Sequence, residues 1–169
     1  MITIRRIQSG EVELFKSLRL RALQDAPYAF SSTYEASLRR TDQSWQEQAE
    51  RTARGADRAT FFAFIDDEAI GMAALYRLED QVQVGELLQV WVAPGQRGGQ
   101  TARCLIDEVF AWASANHFCK IIAVVHRANQ RAVQFYLRYG FSPLEVLDPP
   151  ALDVENITLV REVVGSQYP

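Results

Sequence analysis

The stretch TARCLIDEVFAWASA, preceded by the apolar run QVGELLQVWVA and followed by KIIAVV, constrains the fold of this chain more than any other feature. Within it Ala102, Leu105, Ile106, Val109, Phe110 and Ala113 recur at i, i+3, i+4 and i+7 spacing, which predicts a helix with one face on a core. KIIAVV is a short continuous apolar run, the pattern of a strand buried on both faces. Strand, helix and strand in that order predict a parallel βαβ crossover. A sheet that is entirely antiparallel is thereby disfavoured.

Upstream the pattern differs. TIRRI alternates as a first strand, and Val12, Phe15, Leu18 and Ala22 then repeat at helical spacing until DAPYAF breaks the period. A second helical stretch is expected from Thr33 to Arg54, polar, carrying a lone Trp45 and stopping at Gly55, as a surface helix would. TFFAFI and AIGMAALYRL flank DDE as a hairpin, and QVGELLQVWVA supplies a third strand of an antiparallel meander. After KIIAVV, NQRAVQFYLRYG predicts a helix capped by Asn129 and ended at Gly140, and NITLVREV a closing strand. The expected architecture is α/β with a mixed sheet.

A chain of 169 residues with 48% hydrophobic residues can bury a core as one domain, so residues 1–169 are expected to form a single unit. Its apolar runs fall well short of the roughly 20 residues that cross a bilayer, and MITIRRIQSG lacks the apolar core of a signal peptide. A cytoplasmic location with no membrane partner is the expectation. A net charge of -3 and a pI near 5.4 argue against a general nucleic-acid surface. Cys104 and Cys119 have neither the number nor the spacing of a disulfide framework or zinc site; they are expected to be small core residues, and no metal is implied. The partner expected is a small molecule or a peptide.

Chemistry enters at VAPGQRGGQTA, the junction of the third strand and the best helix. The amides of Gly98 to Ala102 would be the free donors of a helix N-terminus, where the macrodipole also favours an anion. Gly98 and Gly99 would let backbone approach a phosphate closely, and Arg97 could add a charge-assisted contact. The Gly-Lys-Ser/Thr ending of a Walker A loop and the G-x-G-x-x-G dinucleotide pattern are both absent.

Val92, Pro94, Arg97, Gly98, Ala102 and Leu105 do fit V-x-P-x-x-R-G-x-G-x-A/G-x-x-L, with Gln100 in place of the second glycine. Asn129, Ala132, Tyr136, Gly140 and Phe141 fit N-x-x-A-x-x-x-Y-x-x-x-G-F in full. Together these motifs resemble those of the GNAT superfamily of acyl-CoA-dependent N-acetyltransferases. LRLRALQDAPYAFSSTYEA is similar to the first helix and acceptor-side loop of many members, so the resemblance runs over essentially the whole chain.

The resemblance implies a GNAT-like mixed sheet in which the third long strand splays from the next parallel strand, with acetyl-CoA (coenzyme A) as co-substrate in the gap. It implies that the backbone of Val90, Trp91 and Val92 pairs with the pantetheine arm, and that Arg97, Gly98, Gly99, Gln100, Thr101 and Ala102 hold the pyrophosphate. Trp91 could equally be a core aromatic. Asn129 would be both N-cap and cofactor contact, and Tyr136 would protonate the departing thiolate. Glu86 matches a glutamate base of several members; alternation puts it on one face with Leu88 and Val90 if no bulge intervenes, and a solvated strand-end carboxylate is the other reading. His126 is an outside choice of base. The acceptor would be a small-molecule or peptide amine, for which Glu145, Asp148, Asp153 and Glu155 offer an acidic loop; a homodimer is left open. A catalytically silent acyl-CoA-binding or regulatory module is the rival reading, motivated by Gln100.

Overall fold

The computed structural model of the protein describes residues 1–144 and 155–165. Strands β1 (Ile2–Arg6), β2 (Arg58–Ile65), β3 (Glu68–Arg77), β4 (Val84–Val92), β5 (Lys120–His126), β6 (Ser142–Pro143) and β7 (Asn156–Glu162) form one sheet in the order β1-β2-β3-β4-β5-β7-β6. β1 to β4 are antiparallel neighbours, β4 and β5 are parallel, and β7 lies antiparallel to both β5 and β6. The meander and the single crossover thus form as the apolar pattern requires.

Helices α1 (Val12–Asp25), α2 (Tyr34–Leu38) and α3 (Asp42–Arg54) precede β2, while α4 (Thr101–Ala115) joins β4 to β5 and α5 (Gln130–Arg138) follows β5. Alternation along β2 divides the core in two. Ala59, Phe61 and Ala63 pack with Leu105, Ile106 and Val109 of α4, and Phe62 and Phe64 pack with Phe15 and Leu18 of α1 and with Trp45 of α3.

Four expectations need correction. The helix expected over Thr33 to Arg54 is two helices, because each brings its own cap: Thr33 Oγ1 accepts from the Ala36 amide at 3.2 Å, and Thr41 Oγ1 from the Ser44 amide at 3.1 Å. Trp45 is not a surface residue. It is 1% exposed and meets the Phe15 ring edge-on at 5.8 Å, because Trp45, Ala49 and Thr52 form a narrow buried stripe on an otherwise polar helix. β5 is buried on one face only: Ile121, Ala123 and Val125 are buried while Val124 is 47% exposed, since its outer face borders a cleft. Cys104 and Cys119 are half-buried rather than core. No helix of the described residues is long and apolar enough to cross a membrane.

Candidate active site

β4 and β5 pair only through Val84↔Lys120, Gly85↔Ile121 and Glu86↔Ile122. β4 then runs on to Val92 and β5 to His126 without further pairing to each other, while the other edge of β5 is paired with β7 along its whole length. The strands therefore separate into a wedge whose walls are partly backbone.

A bulge shapes one wall. Leu88 faces Ala74 and Trp91 faces Met72, which leaves Gln89 and Val90 opposite Ala73, and Gln89 takes φ +56. A non-glycine residue in this left-handed region costs about 1–3 kcal/mol, so the surrounding packing must impose it. The extra residue also reverses the alternation: Leu87 packs in the α4-side core and Trp91 in the α1-side core. Glu86 and Val90, expected on one face, consequently separate, with Val90 packed toward α4.

The wedge opens into a cleft of 510 Å³ that brings Glu86 and Tyr136 together in one wall system. Burial alone raises the Glu86 carboxyl above its ordinary value, which makes it a better proton acceptor than a solvated glutamate. Tyr136, on α5, is 7% exposed, with its ring against Phe141 at 5.3 Å between centroids. Burial pushes its phenol far above the usual range, so it stays protonated and can donate. Asn129 lines the same cleft and caps α5, its Oδ1 accepting from the Ala132 amide at 3.3 Å.

His126 also borders the cleft, and its Nδ1 accepts from the Ala128 amide at 3.1 Å. That bond ties the Nδ1 lone pair to the turn before α5. Glu145, Asp148 and Asp153 lie outside the described residues; Glu155 is exposed.

The Gly-rich loop leads directly into α4. Among the described residues, the amides of Gly98, Gly99 and Gln100 donate to no backbone carbonyl, so they and the first turn of α4 offer free donors for an anion. Thr101, the first residue of that turn, is buried and Ala102 half-buried. Gly98 stands at φ +83, where a Cβ would be strained although space is open around it. Gly98→Ala is therefore expected to cost about 1–2 kcal/mol, read as a lower Tm, or as weaker coenzyme A binding if the loop flips instead. Finding both unchanged would show that the turn does not need glycine.

Gln100 has φ -90 and ψ -7, an ordinary right-handed conformation. Glycine would relieve nothing there. If the loop holds a pyrophosphate as the resemblance implies, Gln100→Gly is expected to leave coenzyme A affinity within about 2-fold by titration calorimetry, below the several-fold effect of even one neutral hydrogen bond. A clear tightening would mean that the side chain obstructs the site.

Arg97 departs from expectation. Its Nε donates to the Val92 carbonyl at 2.8 Å and its Nη2 to Asp25, so the guanidinium is turned toward the end of α1 instead of the loop. Asp25 also accepts from the Trp91 indole Nε1 at 2.9 Å, and these two donors, Trp91 foremost, hold its carboxyl below the ordinary aspartate value. Trp91 is thus a core aromatic, 5% exposed, that braces β4 against α1. The cation that does approach the loop is Arg131, whose Nη2 lies 4.0 Å from where a Cβ on Gly98 would be.

Two further cleft residues escaped sequence reasoning. Arg19 lies on α1 and Gln89 on the bulge, and each has a buried polar atom without a hydrogen-bond partner. For Arg19 a signal existed: it sits four residues after Phe15 and three before Ala22, inside the apolar stripe.

With this geometry, residues 19–141 match the family model described as "Acetyltransferase (GNAT) family", and the chain belongs to that family. Uncharacterized N-acetyltransferases of Mycobacterium tuberculosis and Mycobacterium bovis are each 33% identical over 84 residues, 50% of this chain and 53% of theirs. The chain thus spans about half the length of the curated relatives it matches. Its fold is shared by an acetyltransferase of the GNAT family from Streptococcus pneumoniae, with a TM-score of 0.78 and 16% identity over 96% of this chain and 99% of that one. It is also shared by the PaiA N-acetyltransferase of Thermoplasma acidophilum, solved in complex with coenzyme A, at a TM-score of 0.77 and 18% identity with the same coverage.

Proposed function

We propose that this chain acts as a single N-acetyltransferase domain that moves an acetyl group from acetyl-CoA to a primary amine by direct attack in a ternary complex. The observation that carries this is the separation of β4 from β5 beyond Glu86↔Ile122, with a protonated tyrosine and a base-prone glutamate on the resulting cleft. Free amides from Gly98 onward suit a pyrophosphate, and the stretch of β4 through Val90, Trp91 and Val92, which has no pairing with β5, suits an extended arm with amides of its own.

Bound there, acetyl-CoA supplies an acetyl group activated as a thioester. Glu86, directly or through one water, removes the proton that keeps a primary amine cationic near neutrality. The amine nitrogen then bonds to the acyl carbon as the carbon–sulfur bond breaks, Tyr136 gives its proton to the departing sulfur, and the proton that the acylated nitrogen sheds returns, through water, to the Tyr136 oxygen. Asn129 holds the start of α5, and hence Tyr136, in place.

A thiol-release assay over a panel of small-molecule and peptide amines tests this reading. Turnover that requires both acetyl-CoA and an amine is expected. Saturable coenzyme A binding without thiol release from any amine would favour a silent binding module instead.

A further inference from the structure

Arg19 is 6% exposed, its Nη1 has no hydrogen-bond partner, and its side chain forms part of the cleft wall. The Phe30 ring lies 4.6 Å from the guanidinium carbon and covers one side of it. The charged and titratable groups that act on it from the neighbouring elements are the Tyr76 phenol and the Arg40 guanidinium, neither of them a carboxylate. Both are already engaged: Tyr76 accepts from Gln48 Nε2 at 2.8 Å, and Arg40 donates to Ser44 while stacking over Trp45. Burial lowers the Arg19 pKa to about 10, so the group is still a cation near neutral pH.

A cation withdrawn from water without a counter-charge is unfavourable until an anion meets it. Gln89 presents the opposite need on the same cleft: its Oε1 is a buried acceptor without a donor, carried on the left-handed bulge residue. One ligand satisfies both if it has an anionic oxygen pair and an N–H. Planar guanidinium is also the side chain best matched to a carboxylate.

We propose that the acceptor is an amino acid: a small amine whose carboxylate is bound by Arg19, whose amine is presented toward Glu86, and for which Gln89 Oε1 accepts an N–H. This rests on the acetyl-transfer reading of the cleft and narrows it to a substrate class.

The test compares free amino acids, their C-terminal amides and the corresponding decarboxylated amines in the thiol-release assay, with wild type and with Arg19→Gln and Arg19→Lys. The acids are expected to exceed the other two sets in kcat/KM by roughly 10- to 10²-fold, the range of a hydrogen bond to a charged group. Arg19→Gln is expected to abolish that preference through the acceptor KM while leaving the KM for acetyl-CoA unchanged, and Arg19→Lys to retain part of it. Turnover without preference for the acids overturns the amino-acid proposal and leaves acetyl transfer standing. If no amine is turned over, thermal shifts of the coenzyme A-saturated protein decide: stabilisation by the acids alone, lost in Arg19→Gln, sustains the carboxylate site although the transfer reading has failed, and equal or absent shifts overturn the site. The comparison of acids with amides in wild type stands even if the variants do not fold.

Discussion

Tyr136→Phe is expected to lower turnover by roughly 10²- to 10⁴-fold, the scale of a positioned general acid, while leaving acetyl-CoA affinity nearly unchanged. The substitution removes one hydroxyl and keeps the ring that packs on Phe135 and Phe141, so the fold is preserved. Its physical basis is the burial that keeps the phenol protonated: a hydroxyl that does not ionise near neutrality has a proton to give whenever a thiolate forms beside it. Single-turnover measurements with saturating amine separate this from slower product release. Unchanged turnover would place the proton source elsewhere and leave Tyr136 as a core aromatic.

The second large effect concerns Glu86. Glu86→Gln is expected to lower kcat/KM by about 10²-fold or more near neutrality and to replace the acid limb set by the Glu86 carboxyl with one set by the amine itself, so that the residual rate climbs with pH only as the amine deprotonates. A stability change should accompany it. Because burial raises the folded-state pKa of Glu86 above its unfolded 4.5, the stabilisation associated with its protonated form is complete below pH 4.5 and is lost as pH rises through the folded value. The glutamine variant does not titrate. Relative to wild type, its Tm should therefore improve as pH rises from about 4 toward 7, over the span set by an ordinary glutamate and its buried counterpart. Loss of activity with an intact acid limb would assign the base to another group.

Most of the fold was legible because its elements follow clean periods. The α4 stripe, the three-strand meander and the Asn129 cap each reflect one dominant local rule. What escaped was decided by tertiary packing. The break between α2 and α3 occurs at Arg39 to Thr41, without proline or glycine, and is visible only as a second capping threonine. Gln89 adopts a left-handed backbone that its residue type does not announce, and this one residue takes Val90 off the face that alternation gave it with Glu86. Arg97 was read from its motif position as a phosphate ligand, yet Asp25, distant in sequence, claims its guanidinium. Arg19 was not singled out, although it lies on the face of α1 that Phe15 and Ala22 bury.

The short pairing between β4 and β5 makes the sheet two panels joined at a seam of three residue pairs. Gly85 sits in the middle of that seam, and a Cβ there would stand 2.8 Å from Leu75 Cδ1 and 3.0 Å from Phe118 Cδ1. The two side chains occupy the room a methyl group would need, and they belong to opposite panels: Leu75 to the meander, Phe118 to the approach of β5. A side chain at the seam would therefore wedge the two panels apart, and the apex of the cleft is closed by a pair of apolar groups meeting over a missing side chain.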